Sequence, residues 1–525
     1  MVQDFKDGLT LKKVRMKRSD IHLHMRIPEH PFEVLSGADR LTNTSNLIAL
    51  LSCAVASGII TAMLGLPGVI GLICMPFLAA GFLLLFSRPA VGLYASIILG
   101  FTLIGFGRYA KGIQVGILMD AILILTFMAI FLHPFRKKTD WSPVKNDITW
   151  LALIWFAYSL MQLFNPESNS TEAWFSGRGI GLYMVSIIPL TLLFIRTEKH
   201  LDRFFLIWGI CSLLVTAKGI HQQMFGPDRW EQAWLEEGND KTHILFGQLR
   251  VFSFLSDAGQ FGANQAYTAV VAAIIALAQK KTTTRVFFIC VALLSCYGLM
   301  ISGTRGALSI PLVGIAAYSI LRKKTLIAAI GILMLAGILF FFRYTTIGQD
   351  NYNIRRMRSA FDSNDPSLQV RLANQRLLKA YMASRPFGGG IGHGGVKARR
   401  FLPNAFLSQI PTDSWYVLIW VEQGIIGLIL HLFILGYVLL KSSYRIMFRI
   451  RDPALKIKMT ALAAGMAGVV VASYGNAVLG QMPTSILVYM SMAMLMNTKN
   501  LDRSALPVNA LQASKKKINT NTTYQ

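Results

Sequence analysis

Charged residues are scarce in this sequence. They make up 15% of the 525 residues, hydrophobic residues make up 53%, and the mean hydropathy is +0.48. Apolar runs of about 17–25 residues recur from end to end, and each is long enough to span about 30 Å of hydrocarbon. These runs are apolar on all sides and lack an amphipathic stripe, which excludes a large soluble helical protein. The composition therefore predicts an all-α, polytopic transmembrane helix bundle.

Acidic residues are especially few. The sequence has 26 Asp and Glu against 52 Lys and Arg, which gives a formal net charge of +26. Such an excess is also typical of nucleic-acid-binding proteins. Here, however, the basic residues lie mostly in short hydrophilic connections and in the tails, as the positive-inside rule predicts. We therefore interpret the charge as a signal of membrane topology and expect no nucleic-acid partner.

Cysteine is rare, and no cleavable signal peptide is expected. All five cysteines lie inside apolar runs without the spacing of metal ligands or of a disulfide framework, so we expect them to be small, buried apolar residues. The first apolar run begins near Asn46, after a basic leader that is too long for a signal-peptide n-region. Neither a metal nor another cofactor is indicated.

The apolar runs predict about 14 spanning helices. If the basic N-terminus lies inside, the basic cluster after every even-numbered helix also falls on the cytoplasmic side. A wrong helix count would break this alternation, so both termini are predicted to be cytoplasmic. The predicted spans are 46–65, 67–87, 89–107, 114–133, 147–164, 179–196, 203–221, 262–280, 284–302, 306–322, 324–343, 415–440, 457–477 and 483–497.

These spans divide the chain into five regions. The outside loops are very unequal and no internal repeat is visible, which argues against a transporter built from two related halves. Helical structure is expected inside the longest loop, around 366–384. The predicted regions are a basic cytoplasmic leader at 1–45, helices 1 to 11 at 46–343, an extracytoplasmic loop at 344–414, helices 12 to 14 at 415–497, and a disordered cytoplasmic tail at 498–525.

The 344–414 loop is basic although it is predicted to lie outside, where positive charge is normally depleted. Such a loop suggests an anionic ligand, and a lipid-linked diphosphate is a natural candidate. The loop also contains the glycine-rich run 388–395, which formally matches G-x-G-x-x-G. No strand precedes this run and the loop faces away from cytosolic cofactors, so we reject a dinucleotide site. A sharp turn or a close backbone approach to a ligand is the preferred interpretation.

Four outward-facing polar groups follow one another along the chain. They are Arg250 with Asp257, Thr304-Arg305-Gly306, Arg371 with Pro386 to Gly392, and Glu422-Gln423-Gly424-Ile425-Ile426-Gly427. Their order and their face resemble the O-antigen ligase superfamily, which includes Wzy-type polymerases and protein O-oligosaccharyltransferases. The resemblance covers roughly 250–430.

One position departs from the superfamily pattern. Members most often have a His nine residues before the Glu, and Asp413 stands at that place before Glu422. Either Asp413 itself takes the role of that His, or the nearby His393 replaces it in space. The resemblance leaves both possibilities open.

The resemblance implies a GT-C-like, metal-independent glycosyltransferase in the bacterial inner membrane. Its donor would be a glycan linked to undecaprenyl diphosphate at the periplasmic face, and its acceptor a saccharide, lipid A-core or a protein. Arginines would stabilise the diphosphate leaving group, and a carboxylate or His would accept the proton of the attacking hydroxyl. The residues assigned to the diphosphate are Arg250, Arg305, Arg371 and Arg376, and those assigned to catalysis are Asp413, His393 and Glu422.

Several of these residues also have structural explanations. Arg305 could cap a helix end and reach the membrane interface, Asp413 could be the N-cap of helix 12, and the intramembrane Glu422 could pair with an Arg. By the same reasoning, Asp120 in helix 4 is predicted to pair with Arg108 or Lys218. His431 is expected to be a hydrogen-bonded packing residue.

The rival function is a flippase or transporter for lipid-linked oligosaccharides, and a scaffolding protein with a degenerate site is a weaker third possibility. A transporter would place its arginines along a cavity at the membrane midplane. A transferase would place them at the outer surface, beneath the long loop. The position of the arginines in the fold therefore discriminates between the two functions.

Overall fold

A computed structural model describes residues 44–502, apart from 110–115, 133–138, 246, 324, 351–353, 356–357 and 359–365. This part of the chain is helical except for connections and one short antiparallel pair of strands, β1 (Ile244–Leu245) and β2 (Gln248–Leu249). The predicted leader and tail lie almost entirely outside the described residues.

The helices are numbered α1 to α20 along the chain. Their bounds are Thr44–Leu64, Leu66–Ser87, Ala90–Tyr109, Gly116–Leu132, Asp147–Met161, Thr171–Gly177, Gly179–Phe194, Glu198–Phe225, Arg229–Trp234, Asp240–His243, Ala258–Ala278, Thr282–Ile301, Ser309–Arg322, Thr325–Tyr344, Pro366–Met382, Phe406–Gln409, Trp415–Phe448, Pro453–Ala472, Thr484–Met496 and Thr498–Leu501.

Each predicted span coincides with a helix. The boundaries differ most at α17, which continues to Phe448, at α8, which is longer than predicted at both ends, and at α18, which begins and ends earlier than predicted. The helix expected in the long loop is α15. Eight of the described helices are long and apolar enough to cross a membrane by length and composition, as expected of a multi-pass membrane protein. The number that cross and their direction stay predictions.

The chain divides into two compact units, Met1–Ala80 and Gly81–Gln525. The described part of the first unit holds α1 and most of α2, both built from apolar and small residues. The second unit contains every candidate site residue. Apart from the exposure of Cys53, the description below concerns the second unit alone.

The core of the second unit forms around α11, α18 and α19. All residues of α19 are buried, and most of α11 and α18 are. Small residues let these helices approach closely: a Cβ on Gly465 of α18 would lie 2.5 Å from the ring of Tyr267 on α11. Tyr267 and Ser491 join α11 to α19 through their hydroxyls, 2.9 Å apart. This tight centre fixes the helix ends that carry the site.

The helix connections meet at two opposite ends of this unit. At one end, Asn146 and Arg445 both donate to the carbonyl oxygen of Met496, at 3.1 and 2.7 Å. At the other end, Gln162 donates to the carbonyl oxygen of Phe387 (3.0 Å). Connections predicted to be cytoplasmic thus contact one another, and those predicted to be outside do the same. We name the second of these the loop end.

Side-chain caps explain where several helices begin. Asp257 caps α11 and Asp452 caps α18 by accepting hydrogen bonds from N–H groups of the first turn. Ser414 caps α17 in the same way. The hypothesis that Asp413 is the cap of α17 is therefore wrong, because the chain turns into the helix one residue later.

Two expectations about buried polar groups have different outcomes. Asp120 does not pair with Arg108 or Lys218 but with Arg178, which lies between α6 and α7; the Nε–Oδ2 distance is 2.8 Å. The prediction for His431 is confirmed, because its Nε2 accepts a hydrogen bond from the indole of Trp415 (2.9 Å).

The expectation that every cysteine is buried is wrong. Cys211 is buried, but Cys53, Cys290 and Cys296 are exposed on the protein surface and are free thiols. Their helices are apolar all round, so the hydrophobic runs that contain them did not distinguish an inward face from an outward one.

Candidate functional site

The segment from Arg250 to Asp257 is held rigidly at the loop end. The side-chain oxygen of Gln222, on α8, accepts hydrogen bonds from the backbone N–H groups of Phe252 (3.3 Å) and Ser253 (2.7 Å). Arg108, on α3, donates to the carbonyl oxygen of Ser253 (2.7 Å). Its guanidinium also lies 4.5 Å from the ring centroid of Phe252. These contacts fix the backbone that presents Arg250.

A buried ionic network supports this segment from behind. Lys218 lies 2.9 Å from Asp228 and 3.2 Å from Glu231, and the hydroxyl of Tyr109 donates to Asp228 (2.5 Å). Burial alone would raise the pKa of Asp228, but the hydrogen bonds from Lys218 and Tyr109 outweigh it and lower this pKa to about 2. The only signal for these pairings in the sequence is the presence of opposite charges near the ends of predicted helices.

Arg250 contacts the turn that carries Arg305. The guanidinium of Arg250 donates to the hydroxyl oxygen of Thr304 (3.4 Å), and that hydroxyl donates to the carbonyl oxygen of Ala258 (2.7 Å). Arg305 is half-buried and opens the short 3₁₀ helix Arg305–Leu308, which precedes α13. The first two predicted groups, far apart in sequence, are therefore adjacent in the fold.

The connection between α18 and α19, residues 473–483, links this pair of groups to the fourth one. The carbonyl oxygen of Ser473 accepts from the backbone N–H of Trp415, the first residue of α17 (3.0 Å). At its other end, the carbonyl oxygen of Gln481 accepts from the amide of Gln260 on α11 (3.0 Å). The 473–483 connection is thus hydrogen-bonded to the first turns of both α17 and α11.

The same connection reaches the Thr304-Arg305-Gly306 turn through Asn476. A Cβ placed on Gly306 would lie only 2.4 Å from Nδ2 of Asn476. The sequence analysis missed this residue because the predicted span 457–477 placed it inside a helix, whereas α18 ends at Ala472. The polar run Tyr474-Gly475-Asn476 between two apolar helices was the available signal.

The glycine-rich run of the long loop packs into a break in α17. Gly424 has φ 69° and ψ −172°, values that interrupt the helix. Beside this break, the carbonyl oxygens of Val421 and Glu422 accept from the backbone N–H groups of Gly389 (2.8 Å) and Gly390 (2.9 Å). Backbone groups of the loop therefore satisfy part of the interrupted helix, which an apolar environment requires. The sequence predicts a sharp turn or a close approach of these glycines to a ligand. In the fold, the glycines approach the backbone of α17 closely.

Glu422 is buried beneath this run. It is 3% exposed, its Oε1 accepts from the backbone N–H of Gly394 (3.3 Å), and its Oε2 has no hydrogen-bond partner within the described residues. The predicted alternative, a pair with an Arg, is not among the ion pairs of the described chain. Glu422 contributes to holding the loop on α17.

His393 is fastened by both ring nitrogens. Nδ1 lies 3.1 Å from the carbonyl oxygen of Ile391, and Nε2 accepts from the backbone N–H of Asn169 (3.1 Å). This pattern places the proton on Nδ1. Burial lowers the pKa of His393, which favours the same neutral form. With its acceptor nitrogen occupied, His393 is better suited to joining the loop to the 165–170 connection than to proton transfer.

Asp413 and Arg371 face each other at the edge of the loop. Nε of Arg371, on α15, lies 3.7 Å from Oδ2 of Asp413, and the side chains are 37% and 42% exposed. Asp413 has a left-handed φ of 48°. Arg376 is five residues further along α15, on a different side of the helix, and is exposed. The fold brings Arg371, and not Arg376, to Asp413.

The close packing at Gly424 makes a specific prediction for stability. A Cβ at this position would lie 1.9 Å from the carbonyl oxygen of Pro386, and its backbone conformation is one that L side chains rarely adopt. We expect Gly424→Ala to destabilise the protein by about 3 kcal/mol or more, measured by thermal unfolding in detergent.

Gly436 is the matched control for that substitution. It lies on the same helix, and a Cβ there would meet nothing within 4 Å. Gly436→Ala should leave stability unchanged or raise it by about 0.5–1 kcal/mol, because alanine is the better helix former. Equal unfolding temperatures for the two variants would show that the loop does not dock into the helix break.

The fold and the site together define a class of protein. Apolar helices form the bundle, arginines lie where helices end, and a basic loop docks on a broken helix beside them. These are features of a multi-pass membrane protein with a polar, arginine-containing region at one end of its helix bundle.

Comparison with known proteins narrows this class. Residues 261–432, about a third of the chain, match the family model described as O-antigen ligase. An O-antigen polymerase from Salmonella muenchen is 23% identical over 338 residues, which cover 61% of this chain and 81% of that relative. The matches confirm the resemblance to the O-antigen ligase superfamily and support an O-antigen ligase or polymerase type of membrane glycosyltransferase. All the proposed site residues except Arg250 lie within the matched family region.

Proposed function

We propose that this protein transfers a glycan from an undecaprenyl-diphosphate-linked donor to an acceptor hydroxyl at the periplasmic face of the inner membrane. The observation that supports it best is the contact of Arg250 with Thr304, the residue before Arg305. Two arginines from separate connections are thereby gathered at one end of the helix bundle. The O-antigen ligase family match covers the second of them.

The arginines suit a diphosphate leaving group. As the glycosidic bond breaks, negative charge grows on the diphosphate, and preorganised donors stabilise it most where water is excluded. Arg is always charged and binds phosphate oxygens in pairs. Arg305 is half-buried at a helix end, where a lipid-linked phosphate in the outer leaflet would lie. In this proposal the cationic role belongs to Arg250, Arg305 and Arg371, and no metal is needed.

Asp413 is the base that this geometry favours. Its carboxylate is 42% exposed, so an acceptor hydroxyl can reach it, and it lies beside Arg371. His393 has its acceptor nitrogen bonded to backbone and Glu422 is buried under the glycine-rich run. Asp413 would therefore take the proton of the acceptor hydroxyl while that hydroxyl attacks the anomeric carbon.

The long loop would cover the reaction site. Leu378 and Met382 of α15 pack with Leu407 of α16 and with Val421 of α17, so this part of the loop has a small apolar core of its own. The core holds Arg371 over the start of α17. The transporter alternative requires arginines at mid-helix, whereas Arg305 lies between α12 and α13, and neither family match supports a transporter.

A direct test uses the purified protein in lipid nanodiscs with a synthetic saccharide linked to undecaprenyl diphosphate. We expect transfer to an added acceptor with release of undecaprenyl diphosphate, and unchanged transfer after a metal chelator is added. Turnover that stops with the chelator would contradict the metal-independent mechanism. Movement of intact donor across a bilayer without transfer would favour the flippase.

The glycans made by a strain that lacks this protein would identify the acceptor. A ladder that collapses to single repeat units would identify a polymerase, which is the activity named for the Salmonella relative. Loss of all surface-linked units with lipid-linked chains retained would identify a ligase. A surface glycan that is unchanged, with a protein losing its glycan, would identify protein O-glycosylation.

A further inference from the structure

Asn476 carries an amide donor that the fold leaves unused. The residue is half-buried in the α18–α19 connection, yet its Nδ2 is shielded from solvent and has no hydrogen-bond partner within the described part of the chain. Most buried polar side-chain atoms are paired, so an unpaired one needs an explanation. Burying a donor without an acceptor is unfavourable for folding, so a structural role does not explain this amide.

The amide lies where two segments of the proposed site meet. A Cβ on Gly306 would be 2.4 Å from Nδ2, and a Cβ on Gly259 would be 4.0 Å from Oδ1. Gly306 directly follows Arg305, and Gly259 lies two residues after Asp257, the cap of α11. The Asn476 amide occupies the place that a Cβ on Gly306 would need, and it lies within contact distance of Gly259. The orphan donor therefore packs directly against the turn that carries Arg305.

We propose that Asn476 is a further binding residue for the diphosphate, with Nδ2 donating to a phosphate oxygen held by Arg305. This inference rests on the function proposed above. The terminal torsion of Asn is broad, so the amide can rotate towards a ligand without backbone movement. The backbone itself is fixed, because the N–H of Asn476 donates to Ala472 (3.1 Å) and its carbonyl oxygen accepts from Val478 (2.9 Å).

A neutral amide would add direction to a site whose other groups are cationic. Arginines attract any phosphate, while an amide donor on a fixed backbone favours a ligand that places an oxygen within the short reach of that side chain. The proposed contact should therefore distinguish undecaprenyl diphosphate from undecaprenyl monophosphate. It should also make no contribution to the stability of the ligand-free protein, since the donor has no partner there.

The test measures binding and stability in the same variants. Purified wild type, Asn476→Ala and Arg305→Ala are titrated in nanodiscs with undecaprenyl diphosphate and with undecaprenyl monophosphate, and their unfolding temperatures are recorded with and without each lipid. Asn476→Ala should weaken diphosphate binding by about tenfold or more, since a hydrogen bond to a charged group is lost. Its ligand-free unfolding temperature should be equal to or above that of wild type.

Asn497 provides the control, because it lies beyond the other end of α19 and its amide does have an acceptor, the carbonyl oxygen of Ile195 (3.5 Å). Asn497→Ala should lower the ligand-free unfolding temperature and leave diphosphate binding unchanged. If Asn476→Ala binds as tightly as wild type while Arg305→Ala does not, the inference fails and the proposed function stands. If Asn476→Ala destabilises the ligand-free protein as Asn497→Ala does, its role is structural. If wild type does not bind the diphosphate, both fail.

Discussion

Arg305→Ala should abolish glycan transfer while the protein is still made and inserted at normal levels. Arg305 opens the short helix before α13 and is half-buried, so the substitution removes a charge from the site without opening the apolar core. Loss of one preorganised donor to a developing anion slows catalysis by about 10²–10³-fold. The measurement is the surface glycan of a deletion strain that expresses each variant, compared with the amount of membrane protein.

Two further variants sharpen this experiment. Arg305→Lys keeps the charge but loses the paired donors that fit phosphate, so transfer should be intermediate. Arg285, near the opposite end of α12, donates to the carbonyl oxygen of Gln279 (3.0 Å) and is far from the loop end. Arg285→Ala should transfer normally. Wild-type levels of product from Arg305→Ala would sink the proposed mechanism.

The sequence was sufficient to predict the helices. Each predicted span coincides with one of the observed helices because a bilayer demands apolar runs of set length, and such runs are visible without any tertiary information. The helix in the long loop was also predicted. The order of the motifs was enough to predict the resemblance to the O-antigen ligase superfamily, which the match over residues 261–432 confirms.

The partners of individual side chains were much less predictable. The sequence offered several basic residues as partners for Asp120. Only the packing of α4 against the α6–α7 junction brings Arg178 to it. Gly424 lies inside the predicted span 415–440, and no periodicity in that span revealed the break that receives the glycine-rich run. His393 contacts Asn169 across a separation of 224 residues, a contact that no local pattern specifies.

The 473–483 connection shows the same limit at the site itself. The predicted span 457–477 extended past the end of α18 at Ala472, so Asn476 was assigned to a helix. The importance of the 473–483 connection depends on its contacts with Gly306, Trp415 and Gln260, which come from three separate segments. Motif reading found the segments that carry charge, whereas the neutral segment that holds them together required the fold.

Asp413→Asn should lose most transfer activity, by about 10²–10⁴-fold, because a general base contributes about that much. The substitution is well matched to the local backbone. Asp413 has a φ of 48°, and Asn accepts this left-handed conformation as readily as Asp, whereas Ala would add strain. The variant therefore removes the carboxylate that faces Arg371 without disturbing the cap of α17 at Ser414. Transfer from a synthetic lipid-linked donor is the measurement.

Three comparison variants separate the candidate bases. Asp240→Asn changes an exposed acid at the same end of the protein and should have no effect. His393→Gln should weaken the anchoring of the loop and lower the unfolding temperature, with activity recovered at low temperature, since its ring nitrogens bond to backbone. Glu422→Gln should behave in the same way, because Glu422 is buried against Gly394. If Asp413→Asn retains activity and either of these two loses it at all temperatures, the proton is taken there, and the ion pair of Asp413 with Arg371 only positions the loop.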